Sequence, residues 1–255
     1  LLVGRPEIEY SLLSINIGAK TNFNSESSNR SDKKLSVPIK PFSKSLKFII
    51  DQDIYKDDSS ATPFVIIGPG FAGIEIAFAL RNRWPSRSIL LKVKPGRKIP
   101  KNILKTFKDL HIEVIQKYPT CSYPALICTG NKAFEWIKDS GLPIDKDGRI
   151  LTTNTLQVVN YTELFAVGDC GVIKDNSRPS SGVWAVRSAI PLAINLERIC
   201  KGLQLNAWKP QKKAIQIIDI NSSQSDSKAF IYWGSFILGP YSFLSKIKEL
   251  IDKKF

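Results

Sequence analysis

The chain has 255 residues, 43% of them hydrophobic, enough for one or two domains with ordinary cores. The formal net charge is +14, but the basic residues are scattered and no nucleic-acid motif accompanies them, so a nucleic-acid partner is not expected. No stretch approaches the length of an apolar membrane span, and LLVGRPEIEY lacks the basic and apolar regions of a signal peptide, so neither is expected.

Methionine is absent, although a translated chain normally opens with one. The expectation is a fragment of a longer polypeptide that begins inside a domain. Cys121, Cys128, Cys170 and Cys200 form no C-x-x-C pair, and only His111 could join them, so no metal site and no short-spaced redox dithiol are expected. Buried structural thiols in a reducing, cytoplasmic compartment are the expectation.

In chain order, IEYSLLSINIGA (8–19) reads as a buried strand ending in a turn at Gly18. The polar run 20–37 reads as a surface loop, and IKPFSKSLKFIIDQDI as a helix. DDSSATP (57–63) reads as a hinge-like linker. A compact β-α-β unit follows: FVIIG, the helix FAGIEIAFALRNR with Ile74, Ala77 and Phe78 at helical spacing, and SILLKV (88–93). LKTFKDL predicts a short helix, with HIEVI and ALICTG (125–130) as strands. FEWIKDSGLPIDKDGRILTTNTLQVV predicts a helix, a turn at Asp147-Gly148 and short strands. ELFAVGDC (163–170) is a strand running into a turn. The segment 183–202 predicts a helix that Pro191 kinks or breaks. KAIQIIDI and KAFIYWG predict a pair of strands, and YSFLSKIKELIDKKF an amphipathic helix. That helix has Phe243, Leu244, Ile247, Leu250 and Ile251 on one face. The stripe is expected to pack on its own domain, with membrane-surface contact as the alternative.

GPGFAG places Gly68, Gly70 and Gly73 in the spacing G-x-G-x-x-G between a strand and a helix. The first glycine permits the tight turn, the second lets a pyrophosphate approach the backbone, and the third lets the helix pack closely on the strand. The helix N-terminus then offers free N–H groups and the positive end of its dipole to phosphate. The competing reading is a tight turn without a ligand. The end of the second strand lacks the acid that usually binds the ribose 2′-hydroxyl; Val93 or Lys94 stands there. Lys92, Lys94 and Arg97 suit a 2′-phosphate, which favours NADP; exposed lysines beside a decayed pocket are the alternative.

TNTLQVVNYTELFAVGD resembles the second flavin motif of the flavoproteins with two dinucleotide-binding domains, and ALICTG and LLSINIGA resemble the strand ends of that family. The chain is most similar to the type II NADH dehydrogenase-like members of the pyridine nucleotide-disulfide oxidoreductase family. The run SSGVWAVRSAIPLAINLERICKGLQLNAWKPQKKAIQII and the ending IDKKF resemble the branch fused ahead of selenide, water dikinase.

The resemblance implies an α/β, Rossmann-like fold with two dinucleotide-binding domains, N-terminally truncated. Residues 1–60 would be the remaining first part of the FAD-binding domain, and 61–131 the inserted NAD(P)-binding domain. Residues 132–205 would be the second part of the FAD domain, and 206–255 a strand pair and helix. It implies FAD and NAD(P)H as cofactors. Binding to them falls to Gly18, Gly68, Gly70, Phe71, Ala72, Gly73, Lys94, Gly130, Gly168, Asp169 and Val183. Asp169 would bind a ribityl hydroxyl, and Glu75 would face the nicotinamide as the catalytic carboxylate. Its structural alternative is a first-turn acid placed by the helix dipole. The implied activity is hydride transfer from NAD(P)H to flavin and on to a quinone or other small acceptor. A fused or associated selenide, water dikinase would be the partner, and the location cytoplasmic, peripheral to a membrane at most. A non-catalytic remnant serving as a regulatory or docking module is the rival expectation. The family usually carries several more strands between HIEVI and ALICTG than the ten or so residues here allow.

Overall fold

A computed structural model describes residues 7–22, 35–117, 123–220, 227–234 and 236–253. The elements run β1 (Leu13–Ile15), β2 (Lys20–Thr21), β3 (Ser36–Pro38), α1 (Phe42–Asp51), β4 (Phe64–Ile67), α2 (Phe71–Arg83) and β5 (Ile89–Lys92). They continue with α3 (Lys101–Asp109), β6 (Ile112–Ile115), β7 (Ala125–Ile127), β8 (Asn131–Lys132), α4 (Glu135–Asp139) and β9 (Ile150–Thr152). The remainder are β10 (Leu164–Ala166), β11 (Gly171–Ile173), α5 (Gly182–Cys200), β12 (Ile215–Asp219), β13 (Ala229–Trp233), β14 (Phe236–Tyr241) and α6 (Ser242–Asp252). The chain divides into two compact units, Leu1–Lys20 with Asn131–Lys212, and Thr21–Gly130 with Lys213–Phe255.

The second unit holds a five-stranded parallel sheet in the order β3-β7-β4-β5-β6. Its three inner strands, β7, β4 and β5, are buried on both faces, as parallel sheets require. Phe64 and Ile66 point into the large cluster that also takes Ile74, Phe78, Ile103 and Phe107 from α2 and α3. Val65 points the other way, beside Leu90 and Ala125. The β12-β13-β14 sheet is antiparallel and sends Ile218, Phe230 and Tyr232 into the large cluster. Phe78 lies at its centre, with ring centroids 5.0 Å from Phe107 and 6.2 Å from Phe230.

Arg87 is 1% exposed in this unit. Its guanidinium donates to the carbonyls of Thr62 and Gln52 and to the Gln52 side chain, and sits over the rings of Tyr55, Phe64 and Trp84. Trp84 Nε1 and Arg83 both donate to Asp53. That hydrogen bond from Arg83, reinforced by Trp84, holds the Asp53 carboxyl below its ordinary range despite partial burial.

The first unit is built from short pieces. β1 pairs in parallel with β10, and β9 with β11. Along β10 the side chains alternate: Leu164 and Ala166 enter one cluster with Ile137, Ile150 and Cys170, while Phe165 joins Val167, Leu156 and Leu192 in another. Asn195 of α5 is fully buried; its amide donates to the carbonyls of Thr155 and Asn206 and accepts from the Asn206 N–H.

Several expectations need correction. The strand expected over 8–19 is three residues long and only partly buried: Ile8, Tyr10, Leu13 and Ile17 are exposed, while Ile15 and Leu12 pack against the two clusters of the first unit. The loop expected over 20–37 contains β3, outermost in the parallel sheet. The boundary expected near residue 60 falls at residues 20 and 21. Residues 57–63 are not a hinge, because Thr62 anchors Arg87 inside the second unit. Residues 213–255 belong with that unit too, because β12 and β13 complete its core. The expected strand pair gains a third member, β14. Helix α5 continues through Pro191. Cys128 and Cys170 are buried, but Cys200, ending α5, is exposed, and Cys121 lies outside the described residues. On α6 only Leu244 of the apolar stripe is buried; Phe243, Ile247, Leu250 and Ile251 are exposed. No described helix is long and apolar enough to cross a membrane.

Candidate functional site

In the second unit the turn between β4 and α2 is built as its three glycines require. Gly68 has φ +114°, and a Cβ there would lie 2.6 Å from the Cys128 carbonyl oxygen at the end of β7. A Cβ on Gly73 would lie 1.9 Å from the Gly68 carbonyl oxygen, so only glycine lets α2 start this close to the turn. Gly70 differs: it is the extended N-cap of α2, and a Cβ there meets nothing within 4 Å. The middle glycine thus faces open space at the end of a helix whose first N–H groups lack intrahelical acceptors. No acidic side chain stands in that first turn to repel an anion. Phe71 and Ala72 belong to this turn, and the Phe71 ring meets Tyr232 edge-on at 4.5 Å. Burial pushes the Tyr232 phenol up to about 12.

At the end of β5, Val93 is 3% exposed and points into the core. Lys94 and Arg97 are exposed in the turn that follows, where the Arg97 N–H donates to the Lys94 carbonyl. Gly130, φ +98°, lies beyond β7, which runs beside β4 in the sheet. Glu75 is ion-paired: Lys248 of α6 lies 2.9 Å from it and 3.2 Å from Asp219. Burial opposes the Lys248 charge, but the hydrogen bond and charge of Glu75, with Asp219 behind them, leave its pKa raised. Lys248 gives no periodic signal at the distant position it serves, so the sequence does not reveal this pairing.

In the first unit, Gly18 and Gly168 both take left-handed backbone, φ +73° and +72°. They converge with Asp169 on one cavity of about 300 Å³, whose other walls include Asn16, Ala185 and Leu192. Residues 150 apart in sequence meet here because β1 and β10 run side by side and end together. Asp169 accepts from Asn131 Nδ2 at 3.1 Å. The next residue, Cys170, is held by the Ile15 and Val167 carbonyls, fixing the turn that presents the aspartate. Burial raises the Cys170 thiol pKa, so it stays protonated and structural. Val183 stands in the first turn of α5 rather than among the cavity walls. The expected site residues therefore form two groups, one at the glycine turn and one around this cavity. Small residues and an acceptor-bearing turn in the cavity fit a flavin ribityl chain; the open Gly70 cradle fits a pyrophosphate.

No family model matches the chain. It is 22% identical over 196 residues to ferroptosis suppressor protein 1 of Xenopus tropicalis, covering 62% of this chain and 51% of that protein. It is 27% identical over 238 residues to a probable NADH dehydrogenase of Dictyostelium discoideum, covering 74% of this chain and 52% of that protein. The chain thus spans about half the length of the curated relatives it matches. Among solved structures, the sulfide:quinone oxidoreductase of Aquifex aeolicus superposes with a TM-score of 0.68 at 15% identity, over 97% of this chain and 68% of that one. That likeness is one of fold, and the Rossmann-like α/β class expected from the sequence is the one observed.

Proposed function

We propose that this chain is part of an FAD-dependent NAD(P)H oxidoreductase that passes a hydride from NAD(P)H to flavin and on to a quinone or similar small acceptor. The observation that carries the reading is the convergence of Gly18, Gly168 and Asp169 on one cavity, in a chain that separately holds a G-x-G-x-x-G turn with an open middle glycine. The first unit is then the flavin half and the second the NAD(P) half. Bound FAD supplies the electron-accepting ring. The chain's own residues bind and orient. Asp169 accepts a ribityl hydroxyl, and Gly18 and Gly168 keep the cavity free of side chains. Gly130 keeps the chain bare beyond β7, and Val183 offers its N–H at the start of α5. The first-turn N–H groups of α2, at Phe71, Ala72 and Gly73, receive the pyrophosphate. Lys94 and Arg97 meet a 2′-phosphate. Glu75 faces the nicotinamide, its carboxylate kept charged by Lys248.

The named relatives support a nicotinamide donor and, through the quinone enzyme of like fold, a quinone acceptor. A fused or associated selenide, water dikinase is supported only by the α5 segment and its continuation. Buried thiols at Cys128 and Cys170 suit a reducing, cytoplasmic location. The exposed apolar face of α6, with Lys246 on the same helix and Lys253 at its C-cap, suits peripheral contact with a membrane surface. A non-catalytic module is the second reading, favoured by the Glu75–Lys248 ion pair and by buried Val93 in place of the ribose-binding acid.

The deciding experiment is the absorption spectrum of the full-length parent protein before and after NADPH is added. Flavin bands that bleach are expected; a colourless protein, or bands unchanged by both nicotinamides, overturns the reading. NADPH is expected to serve at least as well as NADH, and a clear NADH preference in kcat/KM removes the role given to Lys94. Asp169→Ala should cost a charged hydrogen bond, about 1.5–3 kcal/mol or roughly ten- to a hundredfold in flavin affinity. Unchanged affinity with a large loss of stability would make Asp169 a cap.

A further inference from the structure

A second cavity in the first unit, of about 60 Å³, lies between the β9 and β11 strands and the start of α5, with Trp208 and Pro210 also on its walls. Three features of its lining point to the same kind of ligand. Helix α5 is 19 residues long, opens after Ser181 and has no acidic side chain in its first turn. Ser181 and Trp184, at its start, are on the cavity wall, at the positive end of the helix dipole.

Arg178 lies over the Trp184 ring, its guanidinium carbon 4.7 Å from the centroid. Nη2 donates to the Pro210 carbonyl at 2.9 Å and to Asn176. Nε and Nη1 are buried and have no acceptor. Among the described residues no carboxylate pairs with this guanidinium, and burial depresses its pKa. The neighbouring Arg149 is neutralised, with Asp145 2.7 Å from its Nη2. Thr152, 1% exposed on the same cavity wall, has a hydroxyl without any partner. A half-buried cation with idle donors and an idle buried hydroxyl are each costly alone. One anion, favoured further by the positive end of the α5 dipole, satisfies both.

We propose that this cavity is a binding site for a compact oxyanion, held by Arg178 and the Thr152 hydroxyl beside the positive end of α5. The volume admits a phosphate, a sulfate or a small carboxylate. The site backs onto the cavity at Gly18 and Asp169, with Val167 and Gly168 on the walls of both, and its occupancy can be read without flavin.

The test titrates inorganic phosphate into the 255-residue chain at constant ionic strength, following tryptophan fluorescence and the melting temperature. Saturable quenching that is lost in Trp184→Phe, with a rise in melting temperature, is expected. Arg178→Met should weaken phosphate at least tenfold, and the near-isosteric Thr152→Val severalfold; exposed Lys201→Met should leave it unchanged. Sulfate that matches phosphate while acetate does not would assign a tetrahedral ligand; the reverse would assign a carboxylate. The proposal is overturned by the absence of saturable binding for all three anions up to tens of millimolar. It is equally overturned by binding that folded Arg178→Met and Thr152→Val proteins both retain in full.

Discussion

The two units solve the problem of covering apolar surface differently. In the second, β4 and β5 run through the middle of a five-stranded sheet, and Phe64, Ile66, Phe78, Ile89, Leu91 and Ile103 are at 0% exposure. In the first, two pairs of three-residue strands carry the sheet structure. There Val186, Ile190 and Ile194, spaced four apart on α5, are 43%, 66% and 41% exposed. The second unit draws its stability from that sheet core, although α6 leaves Phe243, Ile247, Leu250 and Ile251 exposed; the first has no comparable sheet, and its exposed α5 face should tolerate substitution. The sites follow suit: the glycine turn sits on a packed sheet, while the cavity at Gly18 and Asp169 is set by turns at the ends of short strands.

The sharpest way to break this contrast is Phe78→Ala. Removing a ring that touches Phe107 and Phe230 should cost about 3–5 kcal/mol in chemical denaturation. A loss under about 1 kcal/mol would mean that the aromatic cluster is not the keystone of its unit.

Next in size is an alkaline weakness of the second unit. Burial pushes the Cys128 thiol up to about 12 from its ordinary 9.0. Between those values the unfolded chain releases the proton and the folded one keeps it. Stability is therefore full below pH 9 and falls as pH rises toward 12, by up to about 4 kcal/mol. Lys248, its pKa raised above 10.5, adds to the loss at the top of that range, because its pairing with Glu75 needs the charge. Denaturation of wild type and Cys128→Ala over pH 8–11 should show the mutant with the flatter profile; parallel profiles would remove Cys128 from the account.

The glycine turn gives a smaller effect with more information. Gly73→Ala forces a Cβ into the Gly68 carbonyl and should destabilise by about 1–3 kcal/mol. Gly70→Ala meets open space and should change stability by less than about 1 kcal/mol while impairing nucleotide binding. Equal stability losses at the two positions would show that Gly70 is structural rather than reserved for a ligand. Smallest of all, Ile190→Ser on the exposed face of α5 should shift stability by no more than about 0.5 kcal/mol. A larger loss would show that this face is covered in solution.

The sequence was most informative where a single residue type is demanded by backbone geometry. Gly68 and Gly73 announce themselves because no Cβ fits, and the strand and helix around them follow from apolar spacing. It was least informative about what covers what. Periodicity locates a stripe on α6 but cannot say that most of it faces outward. Arg87 carries no pattern at all; its burial depends on carbonyls and rings brought in from residues 52–64 and 84. The allegiance of β3 and of residues 213–255 rests on pairing and packing far along the chain, which local reading does not reach. For the cavity site, Gly168 and Asp169 were legible from a motif, and Gly18 only from its likeness to a strand end. The idle donors of Arg178 became visible only with its surroundings in place.

Two outer strands carry a proline, Pro38 in β3 and Pro240 in β14. A proline has no N–H to offer, so a foreign strand laid along either edge would find a gap in its ladder. Growth of either sheet by adding strands from other molecules is thereby discouraged on those sides. The opposite edges, β6 and β12, have no such block, nor does the half-buried β1. If this protein self-associates through its backbone, those are the edges that would lead, and a lysine or proline placed on one of them would be the change that keeps concentrated solutions clear.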